Sequence, residues 1–292
     1  MSPTTPSTPP PHTPPWDTSR DYTYDTLSIR QDGPVDWVTL NRPDQQNAFN
    51  TQLVDELLRY FDSLYMNKQV RIVVLQGAGK NFCAGLDLKE GSNAYAGDSA
   101  SSLSTPQIGL TTQRRISEII IRMRRCPQPI ISLIQGAACG GGFSLALASD
   151  IRIAADNAKF NAAYIKIGLG ACDIGCSYFL PRLIGVSVAS ELMMTGRFIK
   201  AQRALAVGLI SDVVPQEELP QAAQSFIDEM LLTAPIGLRL TKECLNMSID
   251  AGSLEAVVAM EDRNQILCAQ TNDHIEALKA FMQKRPPEFT DT

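Results

Sequence analysis

The stretch IISLIQGAACGGGFSLALASDIRIA occupies residues 130–154 and decides the fold. The apolar run that opens it belongs to a predicted buried strand over residues 127–134. Glycines follow at 136 and at 140–142, and the small residues after them predict a helix over 143–149. A further strand is expected over 150–154. Strand, glycine-rich turn, helix and strand in this order predict a layered α/β core with parallel pairing.

A second glycine-centred turn, NFCAGLDL at residues 81–88, follows another short apolar run at 71–75. Both turns come after the C-terminal end of a predicted buried strand, where α/β proteins usually place ligands. Glycine allows backbone N–H groups to approach a ligand with no Cβ in the way. Two such N–H groups, one from each turn, would make an oxyanion hole. The alternative is a pair of tight strand-to-helix turns without chemistry.

Hydrophobic periodicity outlines the elements on either side of these turns. Ahead of them we expect strands over 26–30 and 36–40 and a helix over 50–65, with Asn50 as its N-cap. A Ser-, Gly- and Ala-rich loop over 91–106 precedes a helix over 113–125. The chain after residue 186 is predicted to be mostly helical, with helices at 187–195, 200–208, 216–233, 235–249, 253–270 and 273–284 and one strand at 210–214.

Composition narrows the possible classes of protein. Of 292 residues, 44% are hydrophobic and 20% charged, which is typical of a globular protein. A net charge of −5 and a pI near 5.2 argue against a nucleic-acid surface. No apolar run is long enough to predict a membrane span. The seven cysteines include no CxxC pair, and the closest-spaced two, Cys172 and Cys176, have no histidine nearby, so we expect reduced thiols, no metal site and a cytoplasmic location.

The chain divides into three regions. Residues 1–21 are rich in Pro, Thr and Ser, with no basic residue before Arg20 and no apolar stretch. We interpret this segment as a disordered tail, and neither a signal peptide nor a mitochondrial presequence is expected. Residues 22–200 carry the β/α pattern of a spiral-like core. Residues 201–292 form a predominantly helical C-terminal region.

Taken together, the two turns and their surroundings resemble the crotonase (enoyl-CoA hydratase/isomerase) superfamily. NFCAGLDL is similar to the family's FxxGxDL motif, and NRPDQQNAF at residues 41–49 is similar to its NRP…NA segment. Three further stretches, at residues 136–154, 168–185 and 192–214, resemble GxxxGGG…SDIRIA, GL…LPRLxG and LxxTGxxxxAxxAxxxGLVxxVV. The resemblance covers about residues 22–286. It implies an α/β, crotonase-like ββα spiral core with a helical C-terminal region.

The resemblance also implies a substrate and a binding site. The family's oxyanion donors map to the backbone N–H groups of Leu86 and Gly141, which would hold the oxygen of an acyl-CoA thioester. No prosthetic group is expected, because coenzyme A arrives as part of the substrate. The family's coenzyme A contacts map to residues that lie on or near the first turn, namely Gln46, Ala48, Ala84 and Lys89. Lys89 suits a phosphate of the nucleotide end, or it is an ordinary solvated lysine.

The sequence departs from the family pattern at both acid–base positions. The two glutamates that activate water in the classical hydratase are replaced by Ser144 and Tyr164. Tyr164 is either a proton or hydrogen-bond donor or part of the pocket wall. Asp173 is similar to an aspartate of dienoyl-CoA isomerases and 3-hydroxyisobutyryl-CoA hydrolases. Its alternative role is the N-cap of the helix that follows.

Three functions therefore remain open. The first is proton transfer on an unsaturated acyl-CoA, as an isomerase or an atypical hydratase. The second is hydrolysis of a thioester or C–C bond, with Asp173 positioning water. The third is coenzyme A binding without turnover. For assembly, the resemblance implies a homotrimer or a dimer of trimers. The predicted helix over 253–270 carries more apolar residues than one buried face requires, including Leu254, Val258 and Ile266.

Overall fold

A computed structural model describes residue 20, residues 22–90 and residues 104–292. Within these parts of the chain, the main sheet has six strands in the order β1-β2-β3-β4-β6-β9. They are β1 (Leu27–Asp32), β2 (Val35–Leu40), β3 (Ile72–Gly77), β4 (Ile130–Ile134), β6 (Ile151–Ala155) and β9 (Asp212–Val214). A smaller sheet has the order β5-β7-β8 and consists of β5 (Ala137–Cys139), β7 (Lys159–Asn161) and β8 (Ile199–Lys200).

Parallel pairing dominates the main sheet. The hairpin β1–β2 is antiparallel, and β2–β3, β3–β4, β4–β6 and β6–β9 are all parallel. In the pair β3–β4, Gln76 lies opposite Leu133, so the two strands end side by side at the same edge of the sheet. The two glycine-centred turns leave the sheet at that edge. The parallel α/β core predicted from the sequence is confirmed.

Helices cover the sheet and form the C-terminal part of the chain. They are α1 (Thr51–Ser63), α2 (Thr105–Arg125), α3 (Gly141–Ala148), α4 (Cys176–Ile184), α5 (Val186–Thr195), α6 (Ala201–Ala206), α7 (Leu219–Leu231), α8 (Pro235–Ser248), α9 (Leu254–Ala269) and α10 (Asn272–Gln283). None of the helices in the described ranges is long and apolar enough to cross a membrane.

The main sheet is buried on both faces, which explains its nearly continuous apolar strands. On one face, side chains such as Val73 and Leu75 pack with α1, α2 and α3 in the larger core cluster. On the other face, Ile72 and Val74 pack against α7 through Leu219, Ala223 and Ile227. The cavity described below belongs to the first face. The second face packs against α7 and contributes none of the described residues that line the cavity.

Several local predictions meet a clear outcome. Asn50 caps α1 as expected, with its side chain accepting a hydrogen bond from Leu53 N–H at 3.0 Å. The predicted strand over 127–134 begins only at Ile130, because Pro127 and Pro129 have no N–H to donate to a sheet. The tail over residues 1–19 and the loop over 91–103 lie outside the described residues.

Helix α2 begins at Thr105, so the predicted start at residue 113 is wrong by two turns. A capping box between Ser104 and Gln107 explains the earlier start, and Pro106 fits the first turn, where the missing N–H costs nothing. The predicted loop therefore ends at Ser104. The extra turns matter for the site, because they bring Gln113 well inside a helix rather than at its frayed end.

Besides the packing of α7 on the sheet, strand pairing and buried polar contacts join the C-terminal region to the core. Strand β9 pairs with β6 and so extends the main sheet from within residues 201–292. On α8, the buried ammonium group of Lys242 donates to the carbonyl oxygens of Met123 and Gln128 and pairs with Asp150 at 2.9 Å. These are satisfied buried polar contacts, which fix α8 against the C-terminal end of α2.

Candidate active site

The two glycine-centred turns are joined edge to edge. Phe82 N–H donates to the carbonyl oxygen of Gln135 at 2.8 Å, and Cys83 N–H donates to that of Ala137 at 3.1 Å. Cys139 N–H returns a bond to the carbonyl oxygen of Cys83 at 2.9 Å. The turns thus extend the pairing of β3 with β4 beyond the main sheet. Each residue of one turn is fixed relative to the other.

Glycine is required where the two turns touch. A Cβ at Gly85, whose φ is +93°, would lie 3.1 Å from the nitrogen of Gly141, and one at Gly142 would lie 2.2 Å from the carbonyl oxygen of Cys83. The peptide that precedes Leu86 and the N terminus of α3 are therefore in direct contact. Among the described residues, neither Leu86 N–H nor Gly141 N–H donates to a backbone carbonyl. Both N–H groups are available to a ligand.

A third segment supports the first turn from below. Asn47 is fully buried and donates from its amide to the carbonyl oxygens of Ala78 and Asn81, both at 2.9 Å. Arg42 pairs with Asp87 at 3.1 Å and also donates to the carbonyl oxygen of Ala48. Phe49 N–H donates to the carbonyl oxygen of Gly85 at 2.7 Å. These bonds give a physical reason for the NRP…NA pattern in the sequence.

A cavity of about 130 Å³ opens beside the two available N–H groups. Leu86 and Gly141 line it, together with Tyr164 and Asp173. The remaining walls are mostly apolar and come from Phe49, Ala84, Gly85, Leu88, Gln113, Ile116, Gly140, Ala163, Ile167, Leu169 and Ile174. Apolar walls with few convergent polar groups are typical of ligand sites. Four of the five residues predicted to be catalytic therefore lie around one cavity.

The fifth, Ser144, lies directly behind Tyr164. Its hydroxyl oxygen is 2.7 Å from the hydroxyl oxygen of Tyr164, and the side chain of Ser144 is fully buried on α3. Burial raises the pKa of Tyr164 well above its ordinary value, so the phenol stays protonated at neutral pH. The two positions at which the classical hydratase has carboxylates thus hold a neutral pair of hydroxyl groups.

Asp173 is the only carboxylate among the described residues that line the cavity. Its Oδ1 accepts a hydrogen bond from Ile174 N–H at 2.9 Å and another from the side-chain amide of Gln113. Burial raises the pKa of Asp173, while these two hydrogen bonds act in the opposite direction. A carboxyl with a raised pKa in a pocket is better suited to accept and return a proton than an exposed one.

Asp173 does not cap α4, so the alternative structural role is wrong. The N-cap residue is Gly175, with φ of 84°, and no side chain caps the helix. Asp173 contributes only its backbone carbonyl oxygen, which accepts from Cys176 N–H at 2.8 Å. The carboxylate is therefore free of the helix end and is directed to the cavity side.

The residue after Asp173, Ile174, has a strained backbone and lines the cavity. Ile174 has φ of 31°, which is unusual for a β-branched residue and costs on the order of 1–3 kcal/mol. A Cβ placed on Gly141 would lie 3.4 Å from Ile174 Cδ1 and 2.7 Å from Phe49 Cε2. Ile174 and Phe49 thus pack against the glycine that offers its N–H to the cavity. The strained turn thus places the carboxylate of Asp173 close to the part of the cavity wall formed by Gly141.

The residues expected to contact coenzyme A lie around the first turn. Ala84 lines the cavity, and its N–H donates to the carbonyl oxygen of Gln46 at 3.0 Å. Gln46 is exposed, and Ala48 is buried next to Phe49. Lys89 is exposed at the end of the turn, where its N–H donates to Asp87 at 3.2 Å. Gln46, Ala48 and Ala84 thus lie close to one another. Lys89 is exposed to solvent directly after the first turn.

Sequence reasoning missed three residues of the site. Gln113 touches Asp173 from α2, and both Phe49 and Ile174 pack beside Gly141. Phe49 is the last residue of the quoted stretch NRPDQQNAF, which was a usable signal. Nothing in the sequence pairs Gln113 with Asp173, because they are 60 residues apart and meet only in the folded chain.

The fold and the cavity together define a class of enzyme. Two backbone N–H groups with no backbone acceptor among the described residues, both on residues that line an apolar pocket with one carboxyl in the same lining, are suited to polarise a carbonyl oxygen and move a proton next to it. A family model described as enoyl-CoA hydratase/isomerase matches residues 30–292. The chain belongs to the enoyl-CoA hydratase/isomerase family, and the superfamily and spiral fold expected from the sequence are confirmed.

Relatives in this family differ in their reactions. A probable enoyl-CoA hydratase of Mycobacterium tuberculosis is 38% identical over 255 residues, covering 87% of this chain and 88% of that protein. The 1,2-epoxyphenylacetyl-CoA isomerase of Escherichia coli is 34% identical, covering 87% and 94%. The crystal structure of a probable enoyl-CoA hydratase/isomerase from Mycobacterium abscessus has a TM-score of 0.84 at 37% identity, covering 92% of this chain and 100% of that one. The chain is thus an enzyme of a family that contains both hydratases and isomerases.

Proposed function

We propose that this enzyme is an isomerase-type member of the family, which moves a proton between carbons of an unsaturated acyl-CoA. The observation that carries the proposal is the pairing of one carboxyl, Asp173, with two available N–H donors, Leu86 and Gly141, around one apolar cavity. Isomerisation needs one acid–base group, because the same carboxyl can take a proton from one carbon and return it to another. Hydration in the classical form needs two.

The proposed reaction is a proton shuttle through a dienolate. The thioester oxygen accepts from Leu86 N–H and Gly141 N–H while Asp173 removes an α proton from a β,γ-unsaturated acyl-CoA. The C–H electron pair becomes a new double bond, and the carbonyl π pair moves onto the oxygen. Collapse of the dienolate returns the proton from Asp173 to the γ carbon. The two donors would stabilise the oxyanion by about 3 kcal/mol each.

The hydroxyl pair supports isomerisation over hydration. Ser144 and Tyr164 are neutral, and the raised pKa of Tyr164 prevents it from acting as a base near neutral pH. In the proposed mechanism Tyr164 acts as a wall that donates a hydrogen bond and keeps the site free of an activated water. The name of the Escherichia coli relative, an isomerase, gives further support.

Two assays on one preparation test the proposal. Conversion of vinylacetyl-CoA to crotonyl-CoA, followed by the absorbance of the conjugated thioester, should be much faster than hydration of crotonyl-CoA. We expect hydration to stay below about 10 per second, the median turnover number of enzymes. Faster hydration than isomerisation would contradict the proposal. Release of free coenzyme A, measured with a thiol reagent, would indicate a hydrolase, and no turnover with intact binding would indicate a protein that only binds coenzyme A.

We also propose that Gln46, Ala48, Ala84 and Lys89 hold the coenzyme A portion. The support is their position on or beside the turn that carries Leu86. In this arrangement the exposed Lys89 meets a phosphate of the nucleotide end, where a compact ammonium group is a suitable partner.

No prosthetic group takes part, and the reaction takes place in the cytoplasm. Fractionation and an absorbance spectrum of the purified protein test these two statements.

We further propose a homotrimer or a dimer of trimers built through the C-terminal helices. Large apolar side chains on α9 and α10 are exposed in the single chain, with 73% of Leu254, 84% of Phe281 and 80% of Met282 accessible. Large apolar side chains left exposed on a single chain are candidates for burial in an interface. Light scattering at micromolar concentration should give a mass of three or six chains. A monomer mass would contradict the assembly but not the chemistry.

A further inference from the structure

We propose that Gln113 is a positioning residue for Asp173: it holds one carboxylate oxygen, so that the other is left to exchange the proton with the acyl chain. This inference rests on the proposed function, because it assigns Asp173 the acid–base role. It concerns a residue outside every sequence motif considered above. Gln113 touches the reacting carboxyl and lines the same cavity.

The hydrogen bonds divide the two oxygens of Asp173 unequally. Ile174 N–H and the amide of Gln113 both donate to Oδ1. Among the described residues, Oδ2 accepts no hydrogen bond. A carboxylate held by two donors on one oxygen cannot rotate freely about its terminal torsion. The unbonded oxygen is the one that can reach a substrate carbon, and its direction is set by the two bonds on the first.

The backbone that carries each partner of Oδ1 is held in place. Ile174 is fixed by its left-handed backbone, with φ of 31°, and by its side-chain packing near Gly141. The side chain of Gln113 is exposed, but its backbone lies within α2 between two buried residues, Thr112 and Ile116, and Ile116 lines the same cavity. A donor on a packed helix holds its geometry better than one on a loop. The hydrogen bond from Gln113 to Asp173 thus joins α2 to the turn before α4 at the cavity.

Gln113 is the residue of α2 that donates to Asp173, because the neighbouring arginines of this helix do not pair with that carboxylate. Arg115, two residues along the helix, is paired with Asp55 on α1, and Arg114 is exposed. On the other elements packed near Asp173, Lys166 is exposed, and the titratable groups are Tyr164, Cys172 and Cys176. Removing the Gln113 bond therefore removes a donor that no cation nearby replaces. A hydrogen bond to the charged form favours that form, so its loss should raise the pKa of Asp173.

The test uses opposite changes at one position. Gln113→Met keeps the length of the side chain and removes the donor, whereas Gln113→Lys keeps a donor and adds a charge. Gln221→Met, on an exposed position of α7 against the far face of the sheet, is the matched control. The readouts are kcat and KM for vinylacetyl-CoA across pH, together with the carboxyl titration by infrared difference spectroscopy, with Asp173→Asn as the blank.

We expect Gln113→Met to lower kcat about tenfold, with KM changed less than about twofold, since a hydrogen bond to a charged group is worth about one pKa unit or more. The acid limb of the pH profile should move up by about one unit in Gln113→Met and down in Gln113→Lys. A merely structural role would not move this limb in opposite directions. Gln221→Met should match the wild type in every readout.

The outcomes separate this inference from the proposed function. If Asp173→Asn is inactive but Gln113→Met keeps the wild-type kcat and acid limb, the positioning role is overturned and the proposed function stands. If Asp173→Asn is fully active, the proposed function fails, and this inference with it. The infrared titration needs no turnover. If the Asp173 carboxyl titrates identically in the wild type, Gln113→Met and Gln113→Lys, the positioning role of Gln113 is also overturned.

Discussion

Asp173→Asn should abolish proton exchange at the γ carbon of crotonyl-CoA, with a rate loss of about a thousandfold or more. A positioned acid–base group contributes roughly 10²–10⁴-fold, and no second carboxylate among the described residues lines the cavity to replace it. An amide cannot accept the proton, but its oxygen can still accept from Ile174 N–H and Gln113. The local structure should therefore survive. Mass spectrometry of crotonyl-CoA recovered from heavy water measures the loss directly.

The folded protein should not be weakened by this change. Burial raises the pKa of Asp173 above its ordinary value, so the ionised carboxylate costs folding free energy at neutral pH. Asn carries no charge and removes that cost. We expect the variant to melt at the same temperature or higher at pH 7. The difference should shrink as the pH falls towards the ordinary carboxyl pKa, because both states of the wild type then bind the proton.

The same raised pKa fixes the pH dependence of the wild type. Asp173 must be ionised to take a proton, so exchange should be lost as the pH falls through its folded pKa, which lies above the ordinary value of about 3.9. Asp228→Asn, on the exposed side of α7, is the matched control. It should change neither the rate of proton exchange nor the acid limb of its pH profile. Exchange at the wild-type rate in a stable Asp173→Asn protein would remove Asp173 from the mechanism. Tyr164 would then be the remaining titratable group among the described residues of the cavity wall, and its raised pKa would limit it to donating a proton.

Local patterns made most of the fold predictable. Apolar runs placed β3 and β4, Asn50 marked the start of α1, and the glycines of both turns indicated backbone in close contact. These signals are local in sequence, because strand burial, capping and glycine geometry each depend on a few neighbouring residues. The start of α2 was the main error. The capping box at Ser104 is also local, but it lies at the edge of a Ser-rich stretch in which a single cap is hard to recognise.

The site was predictable only as far as motifs reach. The turns indicated one N–H donor each, and the family resemblance implied Leu86 and Gly141 as the donors and Ser144 and Tyr164 as the residues at the positions of the missing glutamates. That the two hydroxyl groups are 2.7 Å apart is a tertiary fact, since α3 and the segment with Tyr164 meet only through packing. The bond from Gln113 to Asp173 is of the same kind. No spacing along the chain indicates which oxygen of a carboxylate is occupied.

Loss of a donor from the proposed oxyanion hole should give the second large effect, and Gly141 is the position at which this donor can be isolated. Gly141 is the first residue of α3, where proline is tolerated by a helix, and its N–H donates to no backbone carbonyl among the described residues. Gly141→Pro removes this donor. Any Cβ at this position also meets the ring of Phe49 at 2.7 Å, so part of the effect will be steric. Gly141→Ala introduces the same Cβ and keeps the N–H, which makes it the matched control.

The difference between the two variants measures the donor. We expect Gly141→Ala to lose activity through displacement of Phe49, and Gly141→Pro to fall about a further hundredfold in kcat, the usual effect of losing one oxyanion donor. Calorimetry with coenzyme A should give similar affinities for both variants and the wild type, because the proposed contacts to that portion, such as Ala84 and Lys89, lie on the other turn. Melting curves establish that both variants are folded. Equal turnover in folded Gly141→Ala and Gly141→Pro would show that this N–H does not stabilise the oxyanion, and the oxygen would then have to depend on Leu86 N–H alone.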